Sequence, residues 1–242
     1  NLIMHLGIVL AMPSLYQHGF LSAIWLITLL MSVLGGRVIP FFTANGTKTR
    51  KVEPLPWLEN ATLGSTWCIF AVYVSGLIYY MPNWLIASLL LACSLLQAIR
   101  VGRWKIQQTL SVPLLWSLHV AYWFIPIGIG LIGISYLSDQ ITLSTAFHTL
   151  TVGAMGNMIL SMMARVSLGH TGRQLMVKSM IIAAFAAILV AALIRVFAII
   201  FYPELSFSFI VISMIAWCVA YGLFTLIYFP VLTQSRADGR PG

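Results

Sequence analysis

Charged residues are scarce in this chain of 242 residues. Only 7% of the residues are Asp, Glu, Lys or Arg, whereas 60% are hydrophobic and the mean hydropathy is +0.97. Water-soluble domains usually carry about 25% charged residues. The composition therefore excludes a water-soluble fold and predicts that the chain lies in a membrane.

Acidic residues are the rarest charged group, and there are only five in the whole chain. The hydropathy pattern predicts that all of them lie in connections or in the C-terminal tail: Glu53, Glu59, Asp139, Glu204 and Asp238. A carrier that moves protons along buried carboxylates needs such groups inside the membrane. Their predicted absence there argues against that class and leaves any embedded arginine without an evident counter-ion.

Cysteine is also sparse, with three residues and no CxxC spacing. This excludes a disulfide framework and a cysteine-based zinc site. We expect Cys68, Cys93 and Cys218 to be small buried apolar residues. The formal charge of +8 does not indicate a nucleic-acid partner, because the basic residues are dispersed over short connections and do not form one face.

Long apolar runs are what the sequence does contain. A bilayer core of ~30 Å takes about 20 helical residues at ~1.5 Å per residue. Seven runs of roughly that length occur, at residues 20–43, 61–80, 84–101, 111–135, 143–166, 176–201 and 206–232. The apolar stretch at residues 2–12 is about half as long as a span. The predicted fold is an all-α, polytopic transmembrane helix bundle with seven full spans and a partial N-terminal span.

The chain is predicted to form a single membrane domain over residues 1–242 and to be a fragment. It begins at Asn1, without an initiator methionine and inside an apolar run, so N-terminal helices are expected to be missing. The start lacks the basic segment of a signal peptide.

Loop charge predicts the orientation. Lysine and arginine occur on alternate connections and on the tail, represented by Lys48, Arg103, Arg173, Arg236 and Arg240. The remaining connections carry only Asp139 and Glu204 as charged residues. By the positive-inside rule, the basic side and the C-terminus are cytoplasmic. We expect a multi-pass protein of a bacterial inner membrane.

Polar side chains predicted to lie within lipid are candidates for function, because they are costly there. They are His5, Arg37, His119, His148, Asn157 and Arg195. On a helical wheel, His148 is followed on one face by Thr151, Val152, Met155, Ile159 and Met162. The imidazole is interpreted either as a metal ligand or as a hydrogen-bonding partner of a neighbouring helix.

Three of these residues share one predicted depth. His5, His148 and Arg195 lie about five to seven residues from the outer ends of their helices. Two imidazoles and a cation at one depth are what a b-type haem needs for its iron and a propionate. Met155 lies too far along the helix from His148 to ligate the same metal. Alternatively, Arg195 extends to the membrane surface or pairs with an outer carboxylate.

His119 is predicted to lie deeper, on an aromatic-rich helix with Trp116, Tyr122 and Trp123. We expect it to form a second site in the half that holds Arg37, or to ligate a metal together with a histidine from the missing helices. For His18 and His170, solvation at a helix end is a sufficient explanation.

Four segments of the sequence resemble the NnrS family. They are NLIMHL from residue 1, GGRVIPFFT from residue 35, LHVAYWF around His119 and HTLTVGAMGNMILSMMARVSLGHTGR from residue 148. The resemblance implies an inner-membrane protein that contains haem and copper and is linked to nitric oxide metabolism and nitrosative stress protection. It implies His5, His119, His148 and His170 as candidate metal ligands, and it leaves Arg37 and Arg173 without a role.

Two other functions stay open at this point. The chain is alternatively an integral subunit of a larger respiratory or electron-transfer complex, whose partners would supply the missing helices. The second alternative is a channel or carrier for a small solute. The expected partners are lipid and nitric oxide or a similar small ligand, and not nucleic acid. The sequence does not decide whether the protein is an enzyme.

Overall fold

The computed structural model describes residues 2–239, and their regular structure is entirely helical. The helices are α1 (Leu2–Val9), α2 (Pro13–Thr47), α3 (Pro56–Val74), α4 (Asn83–Gly102), α5 (Pro113–Ser135), α6 (Leu143–His148), α7 (Asn157–His170), α8 (Ser179–Leu193), α9 (Ile199–Phe201) and α10 (Ser206–Thr233). The predicted start at Asn1 within a span, and Arg240 of the tail, lie outside the described residues.

Local sequence explains several helix ends. Proline occupies the first position of α2, α3 and α5, where its missing N–H needs no helical partner. Thr142 precedes α6, and its hydroxyl accepts a hydrogen bond from the backbone N–H of Thr145 at 3.2 Å. Helix α2 is capped at its C-terminal end by Lys48, whose φ of 53° is left-handed.

Two helices contain wide π-helical turns. Residues Thr149–Gly156 join α6 to α7, and residues Ile194–Ala198 join α8 to α9. The extra residue in a π turn shifts the register of the side chains that follow. The predicted single face after His148 is therefore wrong: Met155 is buried, whereas Ile159 is 47% exposed.

Asn157 has a structural role at the end of the first π turn. Its side-chain amide donates hydrogen bonds to the carbonyl oxygens of Val152 at 3.3 Å and Gly153 at 2.9 Å. Widening the turn alters the backbone pairing of these carbonyls, and an amide on the next turn supplies a donor within the low-dielectric core.

Five described helices are long and apolar enough to cross a membrane: Pro13–Thr47, Asn83–Gly102, Pro113–Ser135, Ser179–Phe201 and Pro203–Thr233. Helix α3, with 19 residues, is not among these five, and the helical stretch from α6 to α7 is divided by its π turn. Each of the seven predicted runs contains a helix, yet the predicted count of seven full spans and a partial one is not confirmed.

Contacts gather the basic connections at one end of the bundle. Nη2 of Arg103 donates to the backbone oxygen of Glu53 at 3.2 Å, which joins the connections that follow α4 and α2. The guanidinium carbon of Arg165 lies 3.9 Å from the centre of the Phe42 ring and brings the end of α7 beside the end of α2. Arg173 donates to a carbonyl in the last turn of α10 at 3.1 Å.

The alternate connections meet at the opposite end. Nε2 of His18 lies 3.2 Å from the carbonyl oxygen of Val74, so the start of α2 contacts the end of α3. The hydroxyls of Tyr73 and Tyr136 are 3.2 Å apart and join the ends of α3 and α5. The connection with Asp139 follows directly, so it is separated from the basic connections as the loop charges predict.

The cysteines differ from expectation. Cys93 is buried, but Cys68 and Cys218 are exposed on the surface of the bundle. In a bilayer this surface faces lipid, so the thiols remain in apolar surroundings without being packed in the core.

Candidate functional site

His148 and Arg195 form the most distinctive polar contact of the bundle. His148 is the last residue before the first π turn, and Arg195 lies within the second. Nη2 of Arg195 lies 3.0 Å from Nε2 of His148, and Nδ1 of the same imidazole lies 2.7 Å from the backbone oxygen of Ser144. The pairing of these two predicted site residues is thus present in the structure.

Donor and acceptor chemistry fixes the state of this imidazole. A guanidinium only donates, so Nε2 of His148 must accept and carry a lone pair. A carbonyl oxygen only accepts, so Nδ1 must carry the proton that is donated to Ser144. His148 is therefore neutral with its proton on Nδ1. This is the orientation that metal-ligating histidines usually have, with one nitrogen held by a carbonyl and the other facing the metal.

The glycines after His148 allow neighbouring helices to approach the first π turn. A Cβ atom on Gly153 would overlap the ring of Phe124 on α5, and one on Gly156 would overlap the ring of Trp217 on α10. The hydroxyl of Tyr221 also donates to the backbone oxygen of Gly156 at 3.0 Å. The π turn therefore packs tightly between α5 and α10, and this packing fixes the position of His148.

A cleft of about 210 Å³ lies beside His148, between α6 and α2. Ser144, His148 and Thr151 line one side, and Phe20 and Ile24 line the other. Typical cofactor pockets measure ~300–1,000 Å³. As it stands the cleft suits a small ligand, and a macrocycle would require α2 and α6 to separate.

His119 lies in a different environment, fully buried on α5. The hydroxyl of Thr43 donates to the backbone oxygen of Ile39 at 2.9 Å, so its oxygen accepts from Nε2 of His119 at 2.8 Å. The proton is then on Nε2, and Nδ1 carries a lone pair. This buried Nδ1 has no hydrogen-bond partner among the described residues. An orphaned lone pair of this kind fits a metal ligand.

The surroundings of His119 differ in part from the sequence interpretation. Its nearest recorded ring contact is with Trp104, at 6.2 Å between ring centres. Arg37 is exposed, and no hydrogen bond joins it to His119 in the described residues. The predicted association of these two residues in a second site stays a prediction.

His5 and His170 are both exposed, on α1 and at the end of α7 respectively. Neither makes a recorded hydrogen bond to another described residue. Helix α1 packs against α2, and the expected approach of His5 to His148 stays a prediction. The hydrogen-bond partner of Nε2 of His148 in this structure is Nη2 of Arg195.

The donor set can be compared with the metals that the resemblance implies. Residues 2–239 hold no group of three or more His, Cys, Asp or Glu side chains that would bind a metal ion. Haem supplies four nitrogen ligands itself and needs only one or two from the protein. Single imidazoles such as His148 and His119 therefore fit an axial ligand of haem, whereas a copper ion would need further donors.

A buried polar network on α2, α3, α4 and α5 was not foreseen. The Arg100 side chain is almost fully buried and forms an ion pair with Glu59, including a contact of 3.0 Å between Nε and Oε1. Its Nη1 donates to the hydroxyl of Tyr122 and to the backbone oxygen of Ser32, both at 2.9 Å. Tyr122 in turn donates to Gln97 at 2.8 Å.

This network corrects one prediction about carboxylates. Glu59 does not lie in a connection but in the first turn of α3, where it neutralises Arg100. The reason is that α3 begins at Pro56, several residues before the apolar run that predicted it. The pattern that would have revealed the network is the helical spacing of Gln97 and Arg100, which places both side chains on one face of α4.

The two glycines of the GGR motif make room for the same network. A Cβ atom on Gly36 would overlap the guanidinium of Arg100. One on Gly35 would lie 2.8 Å from the ring of Tyr122. The motif therefore lets α2 pack closely on the arginine and tyrosine of α4 and α5.

Comparison with known protein families identifies a match over almost the whole chain. A family model described as NnrS protein matches residues 1–236, which is essentially the whole chain. No curated protein and no solved structure matches the sequence.

Proposed function

The chain belongs to the NnrS family, and from this membership we propose that it is an integral membrane protein that binds haem, with copper as a second metal. Its proposed role is in nitric oxide metabolism or in protection against nitrosative stress. The observation that carries the proposal is the neutral imidazole of His148, which is held by Ser144 and directs its Nε2 lone pair at Arg195.

In this proposal His148 would hold the haem iron through Nε2, and Arg195 would bind a propionate. Both groups lie in or beside π turns, which are frequent at functional sites. The carbonyl of Ser144 orients the imidazole and raises its basicity. When bound, the haem supplies an iron at which nitric oxide or a similar small molecule can coordinate.

Ligation requires Arg195 to release Nε2 of His148. The guanidinium has a planar fork of donors that suits a carboxylate better than a single ring nitrogen. A propionate would therefore attract Arg195 away from the imidazole and expose the lone pair. Opening of the cleft between α2 and α6 would accompany this change. His119 is proposed as the ligand of a second metal through its orphaned Nδ1.

We further propose that all seven predicted runs cross the bacterial inner membrane, with the basic connections and the C-terminus in the cytoplasm. The gathering of the basic connections at one end of the bundle supports this orientation. His148 and Arg195 then lie in the periplasmic half, and His119 lies on a helix that begins at the cytoplasmic end.

The proposal is tested by visible spectroscopy on the full chain purified in detergent. Spectra of the oxidised and reduced protein should show the bands of a b-type haem, and addition of nitric oxide should shift the bands of the reduced form. Metal analysis of the same sample should give iron and copper per polypeptide. A protein that is folded but free of both metals, after expression with haem and copper supplied, would refute the proposal.

A further inference from the structure

A second cleft, of about 310 Å³, lies between α2, α3 and α4 at the basic end of the bundle. Four cationic side chains line it: Arg37, Lys51, Arg100 and Arg103. They come from the interior of α2, from the connection before α3, from α4 and from the residue that follows α4. Side chains from separate segments converge here, so the charge density does not arise from a single basic run.

Most of the negative charge around this cleft is already engaged. The carboxylate of Glu59 pairs with Arg100, and that of Glu53 pairs with Arg50. Arg103 donates to the backbone oxygen of Glu53 and has no carboxylate partner in the described part of the chain. Neither Arg37 nor Lys51 forms a recorded ion pair within residues 2–239.

Glu53 and Glu59 also line the cleft but pair with Arg50 and Arg100. The three remaining cations repel one another, and an anion bound among them would relieve that repulsion. Their side chains offer several N–H donors for the oxygen atoms of one phosphate. The site is consequently suited to an anion with more than one acceptor oxygen.

The remaining lining indicates an amphipathic anion. Apolar side chains, among them Val33, Pro40 and Leu63, share the cleft with the cations. Val33 on α2 and Leu63 on α3 are only half-buried, so the apolar part of the cleft reaches the outer surface of the bundle. A ligand in this cleft would therefore contact charge at one end and lipid-facing surface at the other. No histidine, cysteine or methionine lines it, so it offers haem no axial ligand.

We propose that this cleft binds the phosphate headgroup of an anionic phospholipid. Basic pockets between transmembrane helices on the cytoplasmic side are suited to such headgroups. Arg37 and Lys51 bind the phosphate oxygens, Arg103 closes the far side, and the acyl chains run along α2 and α3. This site is separate from His148 and Arg195, and it does not depend on the proposed metal chemistry.

The test uses native mass spectrometry of the full chain in detergent, with dioleoylphosphatidylglycerol or dioleoylphosphatidylcholine added. We expect the anionic phosphatidylglycerol to bind more tightly than the zwitterionic phosphatidylcholine. Each of the variants Arg37→Gln and Lys51→Gln should weaken its binding about fivefold, because a basic residue near an anionic lipid surface contributes ~1 kcal/mol. Lys178→Gln removes the same charge from a different cleft at the same end and is the matched control.

The competing explanations give different results. Equal binding of the two lipids, or equal losses in Lys178→Gln and Arg37→Gln, would overturn the proposal. Displacement of the lipid by millimolar inorganic phosphate would show that the cleft binds a soluble anion instead. Loss of haem from Arg37→Gln would assign the cleft to a propionate. Size-exclusion profiles that match the unaltered protein establish that the variants are folded.

Discussion

Arg195 donates a hydrogen bond to the imidazole of His148 across 3.0 Å, from one π turn to the residue that begins another. A cation and a histidine are an unusual pair inside an apolar bundle, because each adds to the cost of the other unless the imidazole is neutral. The proton on Nδ1, held by Ser144, satisfies that condition. The pair is therefore compatible with burial, and Nε2 of His148 retains a lone pair that could ligate a metal.

Replacing Arg195 with leucine should weaken haem retention about ten- to a hundredfold, because a charge-assisted hydrogen bond to a propionate contributes ~1.5–3 kcal/mol. Arg195→Lys should retain part of the affinity, since it keeps the charge but loses the planar fork. The measurement is haem per purified polypeptide at equal expression. Equal ratios in all three proteins would remove Arg195 from the site and leave it as a polar group that stabilises His148.

Loss of one partner of the buried ion pair should destabilise the bundle. Glu59→Gln leaves the charge of Arg100 uncompensated, and Arg100→Met leaves the charge of Glu59 uncompensated and the Ser32 carbonyl without this donor, at a cost of about 3–5 kcal/mol. The free energy of unfolding in mixed micelles reports this. Arg103→Met removes an arginine from the same end of α4 but breaks only one hydrogen bond to a carbonyl, and it should cost less than ~1 kcal/mol. Similar values for Arg100→Met and Arg103→Met would contradict the role given to the network.

Gly36→Ala should lower the thermal midpoint, because the added methyl group overlaps the guanidinium of Arg100. Overpacking of this kind typically costs about 1–3 kcal/mol. Gly64→Ala is the matched control, since a Cβ atom on Gly64 of α3 meets nothing within 4 Å. Alanine favours a helix over glycine, so the control should be neutral or slightly stabilised. A midpoint for Gly36→Ala at or above that of the control would contradict the packing argument.

His119→Leu tests the proposed second metal. If Nδ1 is a ligand, the content of iron or copper per polypeptide should fall while haem at His148 remains. Leucine removes a buried lone pair that has no partner but also breaks the hydrogen bond to Thr43, so the stability of the protein without metal should change by less than about 1.5 kcal/mol. Unchanged metal content would make His119 a structural residue that hydrogen-bonds Thr43.

Much of the fold followed from the length and polarity of the apolar runs, because lipid requires helices and the loop charges report their ends. The sequence also singled out His148 and Arg195. It did not reveal their direct contact, because a helical wheel of 100° per residue fails within π turns. The predicted site shared by His5 and His148 rests only on their equal predicted depth in the membrane. Depth does not determine the direction that a side chain faces.

Arg100 and Glu59 illustrate a different limit of the sequence. Glu59 precedes the predicted run of residues 61–80, so hydropathy assigns it to a connection, whereas Arg100 lies at the end of the run of residues 84–101. Their burial depends on helix α3, which begins before its predicted run and brings Glu59 to Arg100, and on the Gly36 surface that accommodates the guanidinium. Only tertiary packing brings these features together.

The central claim is that His148 is a haem ligand, and the most direct measurement is haem per polypeptide in His148→Ala compared with His170→Ala. The control removes an exposed imidazole at the end of α7. The account predicts that His148→Ala loses most of its haem and that any remaining haem has altered visible bands. For the haem at His148, the His170→Ala variant should have the same content and the same visible bands as the unaltered protein. Equal haem content and unchanged spectra in folded His148→Ala would contradict it.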